Sequence, residues 1–371
     1  MNRRVAQFDI FFSQYLDEQG QVVADHELLS DWSWLTRCYQ AMVLTRQFDQ
    51  KAVALQRTGQ LGTYPSCLGA EAVAVGAGRA LQAEDVHVPY YRDQGTQLLR
   101  GVSMEEILLY WGGDERGSDY QAPGAREDLP NCVPIATQLS HAAGVAVAIK
   151  YRRQPRAVLV TCGDGATSRG DFHEALNLAG VWQLPLVVLI NNNQWAISVP
   201  RELQSASATL AQKAIAAGIP GEQVDGNDVV AVYHRVDQAL RRARAGKGAT
   251  VIEALSYRLS DHTTADDASR YRDREELGVA WARDPVARLQ RYLHQHQHWD
   301  EEREQALVAD CRQRIQREVD RYLAHEAEPA TAMFDYLYAE LPVASSDQYE
   351  HVAGKAGVQA RVPKGDHYDH D

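Results

Sequence analysis

The sequence predicts an α/β fold, a mostly parallel sheet with helices on both faces and further outer helices toward the C-terminus. Three observations carry the prediction. An apolar run over Ala157–Thr161, a helical pattern over Gly170–Trp182 and a second apolar run over Leu184–Ile190 follow one another directly. Strand, helix and strand at this length form a βαβ unit, whose strands are parallel neighbours. A third strand, Thr250–Leu255, comes after a long helical pattern, Asp228–Ala245, that Gly246 stops.

The chain has 371 residues, 45% of them hydrophobic and 24% charged, ample material for a globular core. A formal net charge of −12 argues against nucleic acid or an anionic membrane as partner. No apolar run reaches the roughly eighteen residues of a membrane-spanning helix. Asp9, Asp17 and Glu18 interrupt the start, so neither a signal nor a transit peptide is expected. Cys38, Cys67, Cys132, Cys162 and Cys311 are odd in number and lack CxxC spacing, which fits free thiols in a reducing cytoplasm.

Residues 1–34 read as an N-terminal arm with little periodicity. A helix over Leu35–Leu55 buries Leu35, Tyr39, Met42 and Phe48 and stops at Gly59. A small-residue helix begins near Gly69, and Val86–Tyr91 is a brief β-like run ending in Tyr-Arg. Ser103 and Glu106 form a capping box for a helix through Trp111. A loop over 112–129 precedes a helix over Ile135–Lys150. Beyond the central unit, Ala206–Ala217 reads as a helix and Gln223–Gly226 as a short strand and turn. Asp284-Pro285 is a strong helix start. An α/β domain is therefore expected over 35–283, C-terminal helices packed on it over 284–344, and a disordered tail over 345–371.

Asp164, in Gly163-Asp164-Gly165, and Asn193, in Asn191-Asn192-Asn193, fall just past the carboxyl ends of neighbouring strands. Open α/β sheets bind ligands there. A carboxylate and an amide oxygen, beside glycines that free backbone N–H groups, suit a magnesium ion carrying a diphosphate. Asp-Gly alone usually marks a turn. Gly-Asp-Gly, twenty-six intervening residues and Asn-Asn, however, resembles the thiamin diphosphate fingerprint of decarboxylating enzymes. Up to about residue 340 the chain resembles the alpha subunits of the thiamin-dependent 2-oxoacid dehydrogenases. Leu210–Tyr233 and the arm look most like bacterial pyruvate dehydrogenase alpha subunits.

That resemblance implies a thiamin diphosphate-binding fold and oxidative decarboxylation of a 2-oxoacid, with acyl transfer to a lipoyl group on an acyltransferase. Pyruvate is the first expectation, a branched-chain 2-oxoacid such as 3-methyl-2-oxobutanoate the second, and acetoin cleavage the third. A non-catalytic assembly subunit is the rival of another class. By the same resemblance Tyr91 and Arg92 hold the diphosphate, a task that suits arginine's planar fork. Asp164, Asn193 and the main-chain oxygen of Trp195 bind Mg2+, and Gly165 and Ala166 present backbone amides. Ile135 and His262 contact the cofactor, and His262 is also the catalytic histidine. Cys132, Pro134, Thr137 and Gln138 match a potassium-binding segment, with Cys132 replacing a serine. Asn191 and Gln194 stand where relatives often carry Arg and Gly. Asp266 and Asp267 are expected to fold the His262 loop. A glutamate needed by the cofactor belongs to the beta subunit in this family, which implies a heterotetramer of two alpha and two beta chains.

Overall fold

The strands in chain order are β1 Phe12–Ser13, β2 Val86–Val88, β3 Val158–Gly163, β4 Leu186–Asn192, β5 Trp195–Ala196, β6 Val199–Pro200, β7 Gly221–Asp225 and β8 Thr250–Leu255. In the computed structural model, which describes residues 2–335 and 337–359, all but β5 and β6 form one sheet of order β1-β7-β8-β4-β3-β2. Every pairing in it is parallel. β3 and β4 are neighbours, with Val158 opposite Leu186 and Gly163 opposite Asn191. β4 also pairs with β8, Asn192 opposite Leu255. Asp164, Asn193 and the segment leading to His262 therefore all leave the sheet at the carboxyl ends of neighbouring interior strands.

β4 is buried along its whole length, and its side chains alternate between two cores, as the strand period of two requires. Leu186, Val188 and Ile190 pack with Ala146, Phe172 and Leu176, which lie on helices Thr137–Tyr151 and Gly170–Val181. Val187 and Leu189 pack with Val73, Val232 and Val236, on helices Glu71–Ala80 and Val229–Arg244. A third core surrounds helix Trp32–Arg57, where Leu35, Tyr39 and Met42 meet Leu289, Tyr292, Cys311 and Ile315. The last four lie on helices Pro285–Gln295 and Glu301–Ala324.

Arg46 joins that third layer to the second. Its Nε is 2.8 Å from Glu71 Oε1, and its Nη2 is 2.7 Å from Asp284 Oδ2, with both carboxylates buried. Removing one partner of a buried ion pair leaves an uncompensated charge. Arg46→Ala strands two carboxylates and is expected to cost about 3–5 kcal/mol, read as a drop in the thermal midpoint.

Several expectations are corrected. The arm is more than an extended segment: β1 forms the sheet edge, and Tyr15 N and Leu16 N donate to Asp228 Oδ2 at 2.7 and 2.9 Å. The helix expected over Ala206–Ala217 shrinks to Lys213–Ala216, because Leu210 N and Ala211 N donate instead to the buried Glu253 carboxylate at 2.8 and 2.9 Å. Helices Gln94–Arg100 and Arg274–Ala282 were not anticipated.

The chain divides into two units, Met1–Leu323 and Ala324–Asp371, so the division falls inside the stretch expected to pack as outer helices. In the second unit, helix Val343–Gln359 replaces the first part of the expected disordered tail. Alanine, glutamine and lysine after Pro342 favour a helix locally even without an apolar stripe. Residues 360–371 of that tail lie outside the described residues. Among the described residues no helix is long and apolar enough to cross a membrane.

Candidate active site

A cleft of about 260 Å³ opens at the carboxyl ends of β3 and β4. Tyr91, Arg92, Ile135, Asp164, Gly165, Ala166, Asn193, Trp195 and His262 all line it, as do Cys132 and Gln138, while Pro134 and Thr137 stand back from its walls. The two ends of the βαβ unit, the loop after β2 and the loop after β8 thus converge on one space.

Asp164 opens a short 3-10 turn, Asp164–Ser168, directly after β3. It is 1% exposed, and among the described residues its Oδ2 has no hydrogen-bond partner. Burial pushes its pKa up to about 6, against the opposing pull of backbone N–H groups, Arg258 and Arg92. A buried carboxylate oxygen without a donor is poised for a cation. A Cβ on Gly165 would meet the Ala196 Cβ at 3.1 Å, so glycine keeps this wall open. Asn193 Oδ1 accepts from Trp195 N at 3.2 Å and shapes the turn that carries the Trp195 carbonyl. Carboxylate, amide oxygen and main-chain oxygen form a hard-oxygen set, which suits Mg2+ with phosphate and water completing its shell. The residues present therefore fit a magnesium diphosphate.

Arg92 is 3% exposed. Its Nη1 donates to Ser66 O at 2.5 Å, and its Nη2 donates to His262 O at 2.5 Å while facing His262 Nδ1 at 3.0 Å. Arg258 Nη1 faces the same Nδ1 at 3.5 Å. Two guanidinium donors at Nδ1 make it an acceptor, which puts the imidazole proton on Nε2. Burial first, then Arg92 and Arg258, push the His262 pKa down to about 4. Its loop is folded by Asp266, whose Oδ2 accepts from His262 N at 2.9 Å and from the Tyr271 hydroxyl. Asp267 caps the next turn through Ser269 N at 3.1 Å.

The sequence model of the family described as "Dehydrogenase E1 component" matches residues 39–330. The chain belongs to the dehydrogenase E1 component family. A pyruvate dehydrogenase E1 component subunit alpha from Acholeplasma laidlawii is 40% identical over 339 residues, covering 90% of this chain and 97% of the relative. The subunit of the same name from Mycoplasma genitalium is 37% identical over 329 residues, 88% and 91% of the two chains. A 3-methyl-2-oxobutanoate dehydrogenase subunit alpha from Mycobacterium tuberculosis is 44% identical over 276 residues, 74% of each.

Within this E1 chain, Arg258 is one site residue that sequence reasoning missed. It is almost fully buried, and its Nη2 also donates to Ile197 O and the Tyr271 hydroxyl, both at 2.8 Å. The available signal was an arginine at the exit of an apolar strand, four residues before His262. Gln204, also unflagged, donates to Asp164 O at 3.0 Å. Asn191 donates to the Tyr90 hydroxyl at 2.7 Å and accepts from Ser256 Oγ at 2.5 Å. In the segment compared to a potassium site, Pro134 O accepts from Cys132 Sγ at 3.3 Å and Thr137 N at 3.4 Å. Gln138 Nε2 donates to Thr161 O at 3.0 Å.

Proposed function

We propose that the chain is the alpha subunit of a thiamin diphosphate- and magnesium-dependent pyruvate dehydrogenase, acting with a beta subunit in a heterotetramer and passing its acyl group to a lipoyl-bearing acyltransferase. The observation that carries the proposal is the convergence of Asp164, Asn193, Arg92 and His262 on one cleft in an E1 chain. Relatives named for pyruvate align over more of it than the relative named for 3-methyl-2-oxobutanoate. The higher identity of that last relative over its shorter span keeps the branched-chain acid as the second reading.

In this reading Asp164, Asn193 and the Trp195 carbonyl hold the metal, and Gly165 and Ala166 admit the diphosphate to backbone amides. Arg92 supplies positive charge toward that end, in a cleft where low dielectric strengthens it. When bound, thiamin diphosphate supplies the electron sink for loss of carbon dioxide from the 2-oxoacid. His262, neutral and protonated at Nε2, donates a hydrogen bond to the negative charge that substrate brings or develops. A potassium ion on the Cys132–Gln138 turn would need to displace the Cys132 thiol from Pro134 O. Five cysteines without disulfides fit a reducing compartment.

The test is thiamin- and magnesium-dependent reduction of an artificial electron acceptor by the co-purified alpha and beta chains. Pyruvate and 3-methyl-2-oxobutanoate are offered in parallel. Preference for pyruvate is expected, and preference for the branched acid moves the chain to the second reading. Silence with both acids, in a pair that binds thiamin diphosphate, overturns both and brings acetoin forward.

A further inference from the structure

We infer that Asp49 is a positioning residue for Arg92, acting through the main chain of residues 64–67. The inference deepens the proposed function and rests on it. Asp49 lies on helix Trp32–Arg57, is 2% exposed and is not part of the cleft wall. Its Oδ1 accepts from Tyr64 OH at 3.1 Å and Cys67 N at 2.7 Å, and its Oδ2 accepts from Ser66 Oγ at 2.5 Å. One buried carboxylate thus grips a stretch that has no regular secondary structure of its own.

The outward side of that stretch is what the cleft uses. Ser66 O receives Arg92 Nη1 at 2.5 Å, and Pro65 O receives Gln94 Nε2 at 3.2 Å. Tyr64 and Thr264 exchange two bonds, Thr264 N to Tyr64 O and Tyr64 N to Thr264 Oγ1, both at 3.0 Å. Burying a carboxylate is costly, and an apolar residue would pack a helix face more cheaply. Three donors from four consecutive residues compensate the burial of this one carboxyl group, and together they fix the backbone they come from. The position of Ser66 O in turn fixes where the Arg92 guanidinium sits. The His262 loop has further ties, to Asp266 and from Ala268 N to Asp261 Oδ1 at 2.9 Å. Loss of Asp49 should therefore fall mainly on Arg92.

The test is a double-mutant cycle in the alpha–beta assembly, with thiamin diphosphate affinity read from tryptophan fluorescence at fixed magnesium. Asp49→Asn is expected to weaken binding about tenfold beside Arg92, and less than about twofold in an Arg92→Ala background. In turnover its KM for thiamin diphosphate should rise by about the same factor, with kcat at saturating cofactor changed less than about threefold. Ser66→Ala keeps the carbonyl that Arg92 uses and removes one grip. It gives the same cycle with a smaller effect, about threefold, should the asparagine variant fail to fold. Equal losses in both backgrounds, or no loss in a folded assembly, overturn the inference alone. A wild-type assembly that binds no thiamin diphosphate overturns the proposed function and the inference with it.

Discussion

On the proposed assignment, replacing Asp164 by asparagine is expected to make the cofactor-free chain more stable while abolishing any stabilisation by magnesium and thiamin diphosphate. The two effects have one cause. In the folded chain burial raises the Asp164 pKa to about 6, from an ordinary value of 3.8. A carboxyl group whose folded pKa lies above its unfolded one favours folding at low pH. Its cost is absent below 3.8, grows as pH rises toward 6, and is complete at pH 7. Holding that charge without a cation costs on the order of 2–3 kcal/mol at neutral pH, and asparagine removes this cost at nearly constant shape. In the proposed site the same substitution removes the carboxylate assigned to the metal. Loss of an outer-shell partner alone costs about 10–100-fold in metal affinity, so loss of the ligand should exceed a hundredfold. Thermal melts with and without magnesium and thiamin diphosphate check both halves. A variant that melts lower without cofactor, or keeps its ligand-induced shift, contradicts the assignment.

His262→Ala is expected to lower kcat by about 10²–10³-fold, the usual worth of one preorganised hydrogen-bond donor to developing charge, while leaving thiamin diphosphate affinity largely intact. In the intact site the imidazole stays neutral across pH 6–8, because its pKa is pushed down to about 4 by burial, Arg92 and Arg258. Its folded pKa lies below the unfolded value of 6.5, so the stability it contributes is lost as pH falls from 6.5 toward 4. The pH profile of kcat/KM should accordingly show no limb near 6.5 that disappears in the alanine variant. Replacing Arg258 with methionine removes one of the two cations and should bring such a limb in from the acid side. If the wild-type profile already bends near 6.5 and loses that bend with His262, the neutral-donor role is wrong.

The central unit was legible because its signals are local. The short apolar runs Ala157–Thr161 and Leu184–Ile190 became strands Val158–Gly163 and Leu186–Asn192, and Phe172, Ala175, Leu176 and Ala179 repeat with the helical period between them. Once those strands are parallel neighbours, Asp164 and Asn193 must fall together, and they do. What stayed hidden depends on partners far along the chain. Ala206–Ala217 has helical composition, but two of its amides go to Glu253, over forty residues away. Gly95 looks like a helix breaker in Gln94–Arg100, yet it is there for space: a Cβ would meet the Ala74 Cβ at 2.9 Å. Arg258 was passed over because an arginine beside a strand normally reaches water. Here it turns inward to carbonyls of the β5–β6 segment and to His262.

The edge strand at the start of the chain sets an order of events during synthesis. Phe12 and Ser13 pair with Gln223 and Val224, and Gln14 bonds to Asp225, 211 residues later. At roughly 5–20 residues per second, a ribosome needs about 10–40 s to deliver that partner. Until then Phe8, Phe11 and Phe12, more than half exposed even in the finished fold, have no sheet to join. Residues 12–14 thus dock only after the roughly two hundred residues that follow them have been made. Until β7 has formed, the stretch carrying Phe8, Phe11 and Phe12 is exposed apolar surface with an unpaired strand, the kind of surface through which incompletely folded chains aggregate.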